Sequence, residues 1–366
     1  MFHVKHRKPL IAVLAATVLL AVGCANIASP EGWAAPAVDG NTIFVQLERG
    51  TISAGTLSTS GTFSESWRYP SETDDLNFDG FYATPVVSGD AVYVASHDGS
   101  VVALSTKTGR PVWPAVVELD STVVATPLVD RQSMYVPTED GELVVLDAEN
   151  GNEIRRLLDP GGRIWSAPVA KGSTFYVGTF DGREVSAVNV STGISHWTSD
   201  AGGAVSADLV LTPDLVLAGS LGRSIRAFDT NAGGDPAWTY PTQGWVVSTP
   251  LVAGSTVYGA TLQGEVFSLD ADNGNENWLL AHEGLEFRSK PALMDGVLVL
   301  ADRDGRLRGL DPATGELRWQ SDIEDAKLFA DPVAYQGSLI YVSKDGDLFQ
   351  VSPRDGSTSV AFSRGG

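Results

Sequence analysis

Apolar and polar positions alternate in short runs along most of this chain, and the runs are broken at regular intervals by turn residues. Ala91-Val92-Tyr93-Val94-Ala95 and Val101-Val102-Ala103-Leu104 are two such runs, with Asp98-Gly99 between them. A period of two over four to six residues predicts a β-strand, and Asp-Gly between two runs predicts a hairpin whose turn needs positive φ. Asp140-Gly141, Asp181-Gly182, Asp304-Gly305 and Asp345-Gly346 repeat the signal. A second reversal follows each hairpin at Thr108-Gly109, Asn150-Gly151, Thr192-Gly193, Asn273-Gly274, Thr314-Gly315 and Asp355-Gly356. Each unit therefore predicts four short antiparallel strands, A to D.

The units recur in phase. A proline position falls at Pro36, Pro85, Pro127, Pro168, Asp208, Pro250, Pro291 and Pro332, and a glycine follows at Gly50, Gly99, Gly141, Gly182, Gly222, Gly264, Gly305 and Gly346. Both series have the same spacing, 49 for the first step and 40 to 42 thereafter. Tryptophan marks the fourth strand at Trp67, Trp113, Trp197, Trp238, Trp278 and Trp319, and Arg155 and Val360 stand at the matching places of the third and eighth units. A four-stranded sheet of this size has two apolar faces and cannot bury both alone, so eight units stack radially into a ring. The expected fold is all-β, an eight-bladed β-propeller of four-stranded antiparallel blades over residues 34–366.

In such a ring the tryptophans are expected to dock one blade on the next. The recurring Asp147, Asp229, Asp270 and Asp311 at the ends of third strands are expected to accept turn hydrogen bonds rather than bind metal. The long connection Ser71–Gly80 reads as a solvated acidic loop, with a partner loop or a weak Ca²⁺ site as the alternatives.

Composition agrees with many turns, since 366 residues hold 39 glycines, 19 prolines and 3 methionines. The net charge is −20, and −23 without residues 1–23, which carry Lys5, Arg7 and Lys8 and no acidic residue. An acidic field of that size repels phosphate backbones, so nucleic-acid binding is not expected. Residues 1–23, with three cations before an apolar stretch from Pro9 to Val22, have the layout of a signal peptide. The single cysteine, Cys24, can form no disulfide within the chain.

Leu20-Ala21-Val22-Gly23-Cys24 resembles the bacterial lipobox, with Ala21 where that pattern prefers leucine. The resemblance implies that Cys24 is lipidated and becomes the new N-terminus, followed by a tether over residues 24–33. It places the chain outside the cytoplasm on a lipid anchor, at the outer membrane where the host has one and at the cell membrane otherwise.

The motif A-x-P-x-V…G…V-Y-V…D-G…L-D…T-G-x-x-x-W, in phase from about Pro36 to Phe362, resembles the PQQ-like propeller repeat and its tryptophan-docking motif. One branch of that family holds pyrroloquinoline quinone and Ca²⁺ in quinoprotein dehydrogenases, with adjacent cysteines against the quinone; this chain has one cysteine and no carboxylate set apart as a base. The other branch, non-catalytic lipoproteins similar to BamB-type outer-membrane assembly factors, matches the lipobox and the chain length. The resemblance thus implies a monomeric protein-interaction scaffold without cofactor or metal, binding a protein partner such as a component of membrane β-barrel assembly. A PQQ-dependent dehydrogenase and an extracytoplasmic ligand sensor are the alternatives.

Strand alternation puts the Asp-Gly hairpins and the residues just before each proline on one face. Trp33, Tyr82, Val124, Trp165, Val205, Val247, Arg288 and Phe329 stand three before the proline position, with Arg163, Trp245, Phe287 and Lys327 nearby. Aromatics and arginines around a concave mouth are typical of binding surfaces, so Tyr82, Arg163, Trp165, Trp245, Phe287, Arg288, Lys327 and Phe329 form the candidate partner face. The alternative is that they plug the channel.

Overall fold

The computed structural model describes residues 33–157 and 161–364. The expected signal peptide 1–23, the lipobox with Cys24 and the tether up to residue 32 lie outside these. The described residues form thirty-two strands in eight sheets, each a simple antiparallel meander of four consecutive strands. Blade 2, for example, is Val86–Ser88, Ala91–Ala95, Ser100–Ser105 and Val117–Glu118. Blade 1 starts at Ala37–Asp39 and blade 8 ends at Thr358–Phe362, so the ring closes between two complete blades with no strand shared.

The core is the set of seams. Each of the eight apolar clusters takes residues from two adjacent blades. The period of two explains why. In Ala91–Ala95, Val92 and Val94 enter the seam with blade 1, while Tyr93 and Ala95 enter the seam with blade 3. One strand therefore feeds two cores, and a blade without neighbours exposes both faces.

Tryptophans lock the outer ends of the seams. Their Nε1–H groups donate to carbonyls of the following blade: Trp67 to Thr106 at 3.0 Å, Trp113 to Ala148 at 3.0 Å, Trp238 to Ala271 at 3.1 Å, Trp278 to Pro312 at 3.1 Å and Trp319 to Pro353 at 2.9 Å. Each ring also lies on a glycine of the next blade's C–D turn, so that a Cβ on Gly274 would sit 2.6 Å from Trp238. Trp197 packs on Gly233 in the same way, but its Nε1 has no partner among the described residues. In blade 3 Arg155 takes the place, its Nη atoms donating to the Val190 and Ser191 carbonyls at 2.7 and 2.6 Å. A guanidinium supplies the same donors to the same turn by different chemistry.

The turn aspartates accept backbone hydrogen bonds. Asp147 Oδ1 takes the N–H of Glu149 at 2.8 Å, and Asp229, Asp270 and Asp311 do likewise two residues on. In the long connection, Asp74 accepts both N–H and Oγ–H of Ser71 at 2.8 Å.

Two sequence expectations need correction. Asp208 is not the proline equivalent of blade 5. Val205 N–H bonds to the blade 4 hairpin as Ile164 and Val246 do to theirs, which makes Leu209 the equivalent and Asp208 the residue before it. Nor do Gly182 and Gly222 supply the positive φ of their hairpins. Arg183 at 57° and Arg223 at 59° do so, whereas Gly99, Gly264 and Gly305 fill the place at 86 to 92° elsewhere. Positive φ costs a residue with a Cβ about 1 kcal/mol. Arg223→Gly should therefore raise unfolding stability by about 0.5 to 1 kcal/mol, read as a shift in the urea midpoint at unchanged slope.

Candidate functional site

The B–C hairpins and the D–A crossings share one face of the ring, because an antiparallel meander returns every second connection to the same side. Along each crossing the chain is extended, so side chains alternate. Phe81, Val123, Ile164, Val246, Phe287 and Leu328 are buried, and their neighbours turn to the mouth of the channel. Phe287 is thus withdrawn from the candidate face: it is 1 % exposed, in the seam core with Leu285 and Tyr258. Its place in the alternation, one residue out of phase with Arg288, is the reason. With the blade 5 register corrected, Ser206 rather than Val205 joins the mouth positions.

The remaining residues fall into separate groups. Arg288, Phe329, Trp33 and Tyr82 make an arc over blades 7, 8, 1 and 2. Trp33 meets Tyr82 edge-on at 4.6 Å and Phe329 at 5.4 Å, and the Arg288 guanidinium lies 5.5 Å over the Phe329 ring. Tyr82 is buried and backed by His97 at 5.1 Å. This arc is packed on itself, with burial holding the Arg288 guanidinium below its usual range.

Trp165 stands elsewhere, with Arg163 and Phe180. Its ring is 4.1 Å from Phe180, the Arg163 guanidinium lies 5.0 and 5.2 Å over the two rings, and Trp165 Nε1–H donates to Glu139. Arg163 also forks onto Asp181 at 2.7 and 2.8 Å, which holds that carboxyl below its usual range. The result is a fixed, half-exposed cation–aromatic stack. Trp245 is 38 % exposed at the blade 6 hairpin, where its N–H is held by Gln263 Oε1 at 2.6 Å. Lys327 pairs with Asp304 at 2.7 Å.

One ring of residues escaped the sequence reading. The positions just before the proline landmark link blade to blade around the channel: the N–H of Thr84 donates to Thr126 Oγ1 at 3.0 Å, Ala167 to Asp208 Oδ1 at 2.7 Å, Asp208 to Thr249 Oγ1 at 3.1 Å and Lys290 to Asp331 Oδ1 at 2.6 Å. The in-phase Lys290-Pro291 and Asp331-Pro332 pairs were the available signal. Burial pushes the carboxyls of both acids up, Asp331 to about 6, helped there by Asp208 and opposed by Lys290.

A carboxyl raised in the folded state binds its proton more tightly there than in the unfolded chain. Its contribution is therefore most favourable below the unfolded value near 4 and is lost as pH rises through 6. Asp331→Asn keeps the acceptor and removes the titration. The stability of the parent relative to this variant should fall by on the order of 2 kcal/mol between pH 4 and pH 7, measured by urea unfolding at each pH.

Among the described residues no group of three His, Cys, Asp or Glu side chains could hold a metal ion. The dehydrogenase-type pair of adjacent cysteines has no counterpart, since the one cysteine is Cys24.

Fold and repeat together define a closed eight-bladed propeller of the PQQ-like class. A family model described as outer membrane protein assembly factor BamB matches residues 25–118, 58–179, 157–278, 184–329 and 263–359, nearly the whole chain. The chain belongs to that family. It is similar to outer membrane protein assembly factor BamB of Burkholderia pseudomallei (strain K96243), 27 % identical over 236 residues, and spans 60 % of the length of that curated relative. The crystal structure of BamB from Moraxella catarrhalis shares the fold with a TM-score of 0.70 at 19 % identity, over 90 % of this chain and 94 % of that one. A europium-containing methanol dehydrogenase shares it at 0.65 and 14 % identity, over 86 % and 81 %.

Proposed function

We propose that the protein is a non-catalytic, monomeric interaction scaffold, anchored by a lipid on Cys24 and binding a protein partner through its B–C hairpin face. By analogy with the relatives named above, the partner is a component of outer-membrane β-barrel assembly in a host with an outer membrane. The observation that carries this reading is the fixed stack of Trp165, Arg163 and Phe180 with the exposed Trp245 on one face. Rigid aromatics and arginines lose little conformational freedom on docking, which is why they dominate binding energy in interfaces.

Combined substitution of Trp165, Trp245 and Arg288 by alanine should lower recovery of co-purifying envelope proteins at least about tenfold in pull-downs from native membranes. The fold should persist, judged by an unchanged far-ultraviolet spectrum. Recovery equal to the parent would move the partner surface off this face.

A further inference from the structure

One third-strand position, three residues past the hairpin glycine (four in blades 4 and 5), faces the seam with the preceding blade. It is Ser53, Val102, Val144, Ser186, Phe267 or Phe349 in six blades, but Arg226 in blade 5 and Arg308 in blade 7. At the seam of blades 4 and 5 the guanidinium meets the end of the neighbouring fourth strand. Arg226 Nη1 donates to the Asp200 carbonyl at 2.9 Å and lies 3.4 Å from its carboxylate. Asp200 faces Glu184 across blade 4, and the residue that faces the matching Glu265 across blade 6 is Ala281. Arg308 therefore lacks the carboxylate that its counterpart has.

No neighbour replaces it. Among the described residues Arg308 has no ion pair, and its enclosed Nε has no hydrogen-bond partner. The acids around it are engaged elsewhere: Glu265 accepts the N–H groups of Gln243 and Gly244 at 2.7 and 2.9 Å, and Asp302 takes Arg306 Nε at 2.7 Å. Glu283 is exposed and pairs with no cation among the described residues. In the place of Ala201 stands His282, whose enclosed Nε2 is likewise unbonded. Burial, and after it the charge of Arg308, hold this imidazole below its usual range. A half-buried guanidinium and an imidazole thus share the rim of the hairpin face without an anion. Drawing a cation part-way out of water is costly until a counter-charge meets it.

We propose that Arg308 and His282 form a receptor for one carboxylate of an acidic segment of the partner protein, seated as Asp200 is at the seam of blades 4 and 5. The occupant is a carboxylate because the in-phase guanidinium already takes one at the same place in the fold. The assignment rests on the reading of the hairpin face as the partner surface, since the fourth strand of blade 6 ends on that face at Ala281. A chain of net charge −20 repels an acidic segment as a whole. The site therefore acts at contact, fixing which acidic residue of the partner meets the seam.

Sodium acetate, titrated into the exported chain carrying Cys24→Ser at ionic strength held constant with sodium chloride, tests the receptor apart from any partner. The Arg308 Nε–H and the His282 ring signals should shift saturably in nuclear magnetic resonance spectra. Ala281→Asp supplies the carboxylate within the chain and should weaken this acetate binding at least about tenfold. No saturable shift, or the same shift with chloride alone, would overturn the proposal. In pull-downs from native membranes, Ala281→Asp should lower partner recovery about tenfold, while Ala281→Asn, of the same size without the charge, should stay within about twofold of the parent. Full recovery with Ala281→Asp, where the alanine set at Trp165, Trp245 and Arg288 loses the partner, would overturn this site and leave the hairpin face standing. Full recovery in both would overturn the two together.

Discussion

Trp113→Ala is expected to cost about 4 kcal/mol of unfolding free energy, measured by urea denaturation. The indole is 2 % exposed, and it fills the seam of blades 2 and 3 between Tyr93, at 5.8 Å, and the C–D turn of the next blade. A Cβ on Gly151 would come within 2.7 Å of the ring, so the turn residue under the indole has no side chain of its own to fill the void. Removal also takes one donor from the Ala148 carbonyl, though Tyr93 Oη–H at 3.0 Å still serves that oxygen. The cavity therefore accounts for most of the loss. Because a closed ring has no free end from which to fray, the defect should lower the midpoint of the whole transition rather than release one blade. A separate early transition confined to blades 2 and 3 would show that the seams unfold independently.

Gly222→Ala is expected to cost about 3 kcal/mol, the upper part of the range for overpacking, although no side chain is lost. A Cβ there would stand 1.9 Å from the Gly202 carbonyl oxygen and 2.5 Å from its carbon, both backbone atoms of the crossing that roofs the hairpin. A Cβ on Gly203 would in turn stand 2.2 Å from the Gly222 nitrogen, so the hairpin and the crossing meet backbone to backbone with no flexible side chain between them to give way. The neighbouring Arg223→Gly carries the opposite sign, since it relieves positive φ instead of adding bulk. Measuring the two variants side by side separates close approach from backbone strain within one hairpin. A stable Gly222→Ala protein would mean that the crossing yields more easily than its packing indicates.

The candidate site was legible in part. Period-two alternation and the proline phase put Trp165, Trp245 and Arg288 on one face, because the direction of a strand fixes which end its connections occupy. The same counting misplaced Asp208 by one residue, and Phe287, taken in as a neighbour of Arg288, falls on the buried side of the crossing. A one-residue shift reverses the side of an extended segment, and blades 4 and 5 hide that shift by varying their hairpins, with Arg183 and Arg223 at the turn. Nor does spacing tell that Trp33, Tyr82 and Phe329 stack on one another while Trp165 stacks on Phe180, since these contacts join residues far apart in sequence.

By itself the sequence determined the number of blades, the four strands in each and the seam role of the tryptophan positions. Those depend on local period and turn chemistry, which each repeat carries in full. Only the tertiary structure decided how the ring closes, between two whole blades with no strand shared, and which mouth residues are packed away or left to face solvent. It alone showed the channel ring of Asp208, Lys290 and Asp331, whose raised carboxyls come from burial among neighbours supplied by other blades. Burial and proximity belong to the assembled ring, and no single repeat contains them.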